Sequence, residues 1–314
     1  MEFRKIISFG KSSYVVSLPK HWIEKHHLGK GDSLILEEST QDIILKARES
    51  SKPVIPEKKV IQVHEKDLSR IRSEIIVAYL SGYDIIKVIG SNINKHANAI
   101  KEVLNNLTGI ELLEQDDTKI VAKNLLNPEE ISIPILIRRM DNMIRAMFNS
   151  NIEKQGETDL QERDIDVNRL FYLITRVMHM ALENPQLLNK LGLNHVELQK
   201  NIRITRYLES LGDHMKRINR NMREGKLSEK EKEKVREVLN RLYQEYLQAM
   251  KSYHTGNKEL AFEVELDYKK CMEECNMLYK VIKGLPTTEL VYNMKATCAT
   301  IKKMARALTL EIIV

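Results

Sequence analysis

The sequence predicts a mainly α protein, in which a β-rich N-terminal module and a small α+β unit precede a long run of helices. Three observations predict that class. Leu, Ile, Met, Lys and Glu dominate a chain of 314 residues with 5% aromatics, 12 Gly and 7 Pro, a composition that favours helices. Apolar runs rich in β-branched residues and punctuated by Gly cluster in the first fifty residues. From residue 127 onward the apolar spacing is helical, with breaks near Gly156, residues 185 to 192, Gly225, Gly256 and Gly284-Leu285-Pro286. A chain of this length buries more than one core, and two or three domains are expected.

The first domain is expected over residues 1–48. Residues 3 to 9 and 13 to 18 read as strands around the turn Gly10-Lys11-Ser12. Leu18-Pro19-Lys20 then opens a short helical segment over 21 to 28, because proline is tolerated in a first helical turn. Gly29-Lys30-Gly31-Asp32 turns the chain into two further strands, near 33 to 37 and 41 to 46. So few strands bury too little apolar area to stand alone, and pairing with a second copy remedies that. The net charge of the whole chain is +6, and residues 1 to 30 hold six Lys and Arg against Glu2 and Glu24, so most of the excess lies here.

Phe9-Gly10-Lys11, Val16-Ser17-Leu18-Pro19-Lys20 and Leu28-Gly29-Lys30-Gly31-Asp32-Ser33-Leu34 together resemble the AbrB/SpoVT swapped-hairpin family over residues 3 to 47. The resemblance implies a domain-swapped homodimeric β-barrel that contacts DNA. The chain departs from the family where Arg-x-Thr-Ile-Pro-Lys is common, since it has Ser17-Leu18-Pro19-Lys20 and so fewer basic side chains. Arg4, Lys5, Lys11 and Lys20 are the expected phosphate contacts, because such contacts dominate affinity and make it salt-dependent. The alternative is that these are solvated charges on a module that only joins two chains. Residues 49–59, polar with Pro53 and Pro56, read as a linker.

Residues 60–126 read as β-α-β-α-β-β: strands at 60 to 63 and 84 to 89, helices at 67 to 81 and 94 to 107, then strands at 110 to 113 and 119 to 122 around Asp116-Asp117-Thr118. Ile71, Ile75, Ala78 and Tyr79 share one helix face. A small ferredoxin-like unit serving as scaffold is expected.

Residues 127–314 read as six helices of about 20 to 30 residues, in two three-helix repeats over 127–226 and 227–314. Asn127-Pro128-Glu129-Glu130 supplies a helix start, and Ser228-Glu229-Lys230-Glu231 a capping box. Ala146-Met147 before Gly156 is echoed by Ala249-Met250 before Gly256, each ahead of an acidic stretch. Glu209 and Asp213 stand one turn apart, at roughly 5–6 Å between Cβ atoms, where like charges call for neighbouring cations or a metal ion. Arg206, Glu209, Asp213 and Arg217 at spacings of three and four also read as a solvated ion-pair ladder.

Glu162-Arg163-Asp164, Val167-Asn168-Arg169-Leu170, Leu173-Ile174-Thr175-Arg176 and Arg206-Tyr207-Leu208-Glu209-Ser210-Leu211-Gly212-Asp213-His214 resemble the PhoU family of phosphate-uptake regulators, over about residues 128 to 312. The resemblance implies a pair of three-helix bundles with metal clusters on repeated Glu/Asp-x-x-x-Asp motifs. Glu209, Asp213 and Asp164 match the motif, and Asn168 stands where Asp is usual. Glu263 and Asp267 fill the third motif, with Glu265 beside them, whereas between Glu289 and Glu311 no acid completes a fourth. That helix carries Lys295, Lys302, Lys303 and Arg306 instead, expected to pair with Glu263 and Asp267 or to meet an acidic partner. Oxygen ligands point to a divalent or trivalent Fe, Zn, Mn or Mg ion.

Three cysteines without paired spacing argue against a disulfide framework, and no apolar run reaches the ~20 residues of a membrane span. A cytoplasmic, non-enzymatic protein is expected, as no P-loop, Gly-x-Ser-x-Gly or His-Glu-x-x-His motif is present. The two resemblances together imply a homodimeric DNA-binding regulator of phosphate uptake, touching a phosphate transporter ATPase or sensor kinase. The alternative is a PhoU-type adaptor that acts by protein contact without DNA.

Overall fold

The computed structural model describes residues 3–38, 43–47, 57–63, 67–91, 93–153, 160–225, 227–282 and 285–309. The chain divides into two compact units, 1–55 and 56–314. Most of the linker expected at 49–59 lies outside the described residues.

In the first unit, β1 (Ile7–Phe9) and β2 (Ser13–Val15) form an antiparallel hairpin in which Phe9 faces Ser13. Gly10 turns the chain at φ +72°, a conformation glycine adopts without steric penalty. Both strands are shorter than the apolar runs that predict them, because register pairing extends only from Ile7 to Val15. Helix α1 (Lys20–Lys25) follows Pro19. The turn after it is closed by Asp32, whose carboxylate accepts the Gly29 N–H at 2.7 Å, with Gly31 at φ +97°. Strands β3 (Leu34–Glu38) and β4 (Ile43–Ala47) make a second antiparallel hairpin.

The second unit opens with a four-stranded sheet. Strand β5 (Lys58–Gln62) crosses through α2 (Leu68–Leu80) to the parallel strand β6 (Ile85–Ile89), and α3 (Ile93–Asn105) leads to the hairpin β7 (Ile110–Gln115) and β8 (Lys119–Asn124). The sheet order is β5-β6-β8-β7, with β8 antiparallel to both neighbours. This βαβαββ connectivity differs from the βαββαβ order of a ferredoxin-like unit, because the two closing strands form a hairpin directly. Asp116 holds the hairpin turn, accepting from Thr118 N–H at 2.8 Å, Thr118 Oγ1 at 2.7 Å and Lys119 N–H at 3.0 Å. Ile71, Ile75, Ala78 and Tyr79 are all buried against Ile86, Val88 and Ile120.

The rest is helical: α4 (Ile133–Ile152), α5 (Gln161–Glu183), the short α6 (Pro185–Lys190), α7 (His195–Glu224), α8 (Glu229–Thr255), α9 (Lys258–Val281) and α10 (Leu285–Thr309). A mainly α chain with a β-rich N-terminus is therefore the observed class. Asn127 and Pro128 start only a 3-10 turn over Pro128–Glu130, and α4 begins anew at Ile133. Pro134, lacking an N–H, cannot donate to the carbonyl four residues back, so one continuous helix is denied. The expected break at 185–192 carries α6, capped by the Asn184 side chain. Ser228 and Glu231 form the expected capping box at α8, and Asn194 and Glu197 form another at α7.

Helices α4, α5 and α7 pack on one another, as do α8, α9 and α10, while α7 lies on α10 and α4 on α8. One continuous apolar core runs through all six. At the seam of α4 and α8, Asp141 is fully buried, yet Arg145 binds it through two contacts of 2.8 and 3.0 Å, Tyr246 Oη donates at 2.7 Å and His254 Nε2 lies at 3.1 Å. Burial alone would raise that carboxyl, but these partners hold it below the usual carboxylate range. Among the described residues, no helix is long and apolar enough to cross a membrane.

Candidate functional site

None of the described side chains in the first unit is buried. Phe3, Phe9 and Tyr14 are 87%, 71% and 76% exposed, and Ile7, Val15, Leu36, Ile43 and Ile44 are exposed too. Apolar side chains on both hairpins thus lie bare, against the usual preference of such residues for an interior. All four basic residues expected to meet phosphates are exposed on this unit. Arg4 Nη1 donates to Ser17 Oγ at 3.4 Å and Lys20 lies 3.6 Å from Glu24. Lys11 sits in the β1–β2 turn beside Gly10.

In the second unit, α5 and α7 bring Asp164 and Asn168 up to Glu209 and Asp213. Gly212 permits that approach: a Cβ there would stand 3.3 Å from both Ile144 Cδ1 and Val167 Cγ1. The cation that meets the cluster is Lys216, absent from the sequence reading, with Nζ 2.5 Å from Asp164 Oδ2 and 3.1 Å from Asp213 Oδ1. Arg217 adds a contact of 3.1 Å to Asp213, as the ladder reading expects. Burial raises the Asp164 carboxyl although Lys216 opposes it, and burial followed by the Asp213 charge raises Glu209. Burial would lower the Lys216 ammonium, but its bonds to Asp164 and Asp213 outweigh that and leave it raised. His214, one residue on, is pushed down to about 4, chiefly by burial.

These side chains do not fit the expected metal. Lys216 fills the position between two carboxylates that a metal ion would take, and Asn168 turns its Nδ2 toward Asp164 at 3.3 Å, offering a donor where a ligand oxygen is needed. Glu263 and Asp267 on α9 are engaged elsewhere: Gln248 Nε2 donates to Glu263, and Arg241 holds Asp267 at 2.6 Å. Among the described residues, no group of three or more His, Cys, Asp or Glu is arranged to hold a metal ion. The basic last helix pairs differently from expectation, because Arg306 meets Glu265 at 3.0 Å and Lys302 stands 4.0 Å above the Tyr268 ring. Lys295 and Lys303 line an open groove of about 590 Å³ with Ser210, Asp213 and His214.

Sequence reasoning also missed the function of Arg176. Its side chain, 3% exposed, leaves α5 and donates to the carbonyls of Tyr79 at 2.5 Å, Gly82 at 2.9 Å and Tyr83 at 3.1 Å, capping the C-terminal end of α2. The Thr175-Arg176 pair was legible as a motif but not as a clamp between α5 and the end of α2.

These features define a helical-bundle protein that carries a small β-rich module with basic residues and a bare apolar surface. Residues 7–53 match the family described as antidote-toxin recognition MazE, bacterial antitoxin, a span that covers β1 to β4. No curated protein and no solved structure matches the chain significantly.

Proposed function

We propose that the chain is a homodimeric, DNA-binding regulator in which the N-terminal module pairs two copies and grips duplex phosphates. The observation that carries this reading is the absence of any buried side chain among the described residues of that module. A folded module needs a core, and a second copy of the same hairpins supplies one. The match over residues 7–53 supports the same reading, and so does the excess of Lys and Arg among the first thirty residues. A dimer presents two copies of Arg4, Lys5, Lys11 and Lys20 to one duplex, so each strengthens the other's hold.

The finer reading, that the helical part answers to phosphate supply in the manner of PhoU proteins, rests on the motif resemblance of Asp164, Glu209 and Asp213. In this chain that acidic face is neutralised by Lys216 and Arg217, so protein contact is the better-supported means of signalling through it. Fluorescence anisotropy of a random-sequence duplex titrated with the full chain at rising salt tests DNA binding. The reading expects affinity to fall steeply with salt and to drop further in a Lys5→Glu, Lys11→Glu variant. No duplex binding even at low salt would favour the adaptor alternative.

A further inference from the structure

The charged side chains of α10 divide into two sets. Glu289 meets Arg220 at 2.9 Å, Arg306 meets Glu265 at 3.0 Å, and Lys302 stands 4.0 Å above the Tyr268 ring. Lys295 and Lys303, by contrast, have no hydrogen bond or ion pair among the described residues, and both line the groove that α10 forms with α7. They stand roughly two turns apart, about 12 Å along the helix axis.

The rest of the lining leaves those two charges uncompensated. Asp213 is the acid in it, and Lys216 and Arg217, each 3.1 Å away, offset its charge. His214 is uncharged at neutral pH, because burial holds it near about 4. The Ser210 hydroxyl makes a long contact of 3.4 Å to Glu209, and the Thr300 hydroxyl has no partner among the described residues. Ala296 and Ala299 add no bulk that would keep a ligand from these donors. Two ammonium groups and two hydroxyls thus share one groove of about 590 Å³, within the span of roughly 300–1,000 Å³ usual for small-ligand sites.

We propose that this groove binds an oligophosphate, a ligand carrying several phosphate groups in series, as inorganic polyphosphate and nucleoside triphosphates do. Lysine binds phosphate oxygens as a point charge, and hydroxyls add directed hydrogen bonds. A lone phosphate meets one lysine, whereas a row of them reaches toward both. A protein partner fits less well, since such surfaces depend on large aromatic or Arg anchors set in apolar pockets. The lining holds a single aromatic, Tyr292, and it is 63% exposed. That open ring face suits a nucleobase, which stacks on aromatic side chains, and so separates the two sources of the phosphate chain. A ligand held between α7 and α10 would tie one set of three helices to the other. The site is independent of the N-terminal module, so it stands or falls apart from the duplex reading.

The test is isothermal titration calorimetry of the full chain with tripolyphosphate, ATP and orthophosphate, free of magnesium and at one salt concentration. Tripolyphosphate is expected to bind at least about tenfold more tightly than orthophosphate, because it engages both ammonium groups. Lys295→Gln and Lys303→Gln should each weaken it roughly fivefold or more, without lowering the melting temperature of the free protein. The Lys5→Glu, Lys11→Glu variant should bind tripolyphosphate like the wild type, and the Lys295→Gln, Lys303→Gln double variant should keep its duplex affinity. ATP binding tighter than tripolyphosphate, with the excess lost in Tyr292→Ala, assigns the groove to a nucleotide; equal or weaker ATP binding assigns it to the phosphate chain alone. No binding of tripolyphosphate, binding that survives the double substitution, equal affinity for orthophosphate, or tighter binding of a hexaglutamate peptide would each overturn the proposal.

Discussion

Lys216 Nζ lies 2.5 Å from Asp164 Oδ2, so a cation from α7 closes the acidic face of α5 from within the chain. Its second contact, 3.1 Å to Asp213, makes one ammonium serve two carboxylates. Removing it leaves Asp164, 7% exposed at its side chain, facing Asp213 with only Arg217, on the far carboxylate, to offset the two charges. Lys216→Ala should therefore destabilise the protein by about 2 kcal/mol in urea unfolding, less than for a fully buried pair because Lys216 is a third exposed. Millimolar Mn²⁺ should raise the melting temperature of that variant and leave the wild type unchanged. An equal rise in both would show that the carboxylates hold metal beside the lysine.

Arg176 offers a second test. Its guanidinium satisfies three carbonyls at the end of α2 and lies 5.0 Å from the centre of the Tyr79 ring. Arg176→Met keeps the volume but strands those acceptors, and should cost about 3 kcal/mol. The loss should appear as faster hydrogen exchange in α2, where it meets α5. Protection of α2 equal to wild type would remove the clamp from the account.

His214 gives the protein a pH dependence of definite sign. Its folded value, about 4, lies below the ordinary 6.5, because burial disfavours the charged ring. Between those values the unfolded chain takes a proton that the folded chain refuses, so stability falls as pH drops from about 6.5 to 4. Asp164 and Glu209, both raised, act in the opposite sense over the acid end of that range. Urea midpoints of wild type and His214→Gln measured across it isolate the histidine: the wild type should lose more stability than the variant. Parallel curves would count against a neutral, half-buried ring.

Gly212 is where α7 packs against Ile144 of α4 and Val167 of α5. A valine there would press on Ile144 and Val167 and should destabilise by about 1–3 kcal/mol, with alanine milder. A Gly212→Val protein as stable as wild type would mean the helices have room to separate.

Much of this was legible in the sequence, for reasons that are local. Capping residues such as Ser228 act on their own helix, and the Ile71, Ile75, Ala78, Tyr79 stripe obeys helical periodicity, so both could be read from spacing. The acidic pair Glu209 and Asp213 was visible for the same reason. Its neutraliser was not: Lys216 acts across to α5, and that contact depends on how closely Gly212 lets two helices pack. Asp141 has Arg145 one turn on along its own helix, but gave no sign of its partners Tyr246 and His254, which lie more than a hundred positions away. The ion pair of Arg241 with Asp267 is hidden likewise, as it joins α8 to α9.

The account depends most on the N-terminal module being half a structure that a second chain completes. Light scattering of the 314-residue chain measures this directly. The prediction is a particle of twice 36.5 kDa that falls to a single chain's mass when Ile7→Asp and Phe9→Asp place charge on the bare hairpin. A wild-type protein of 36.5 kDa, or a dimer that the two aspartates leave intact, would contradict it.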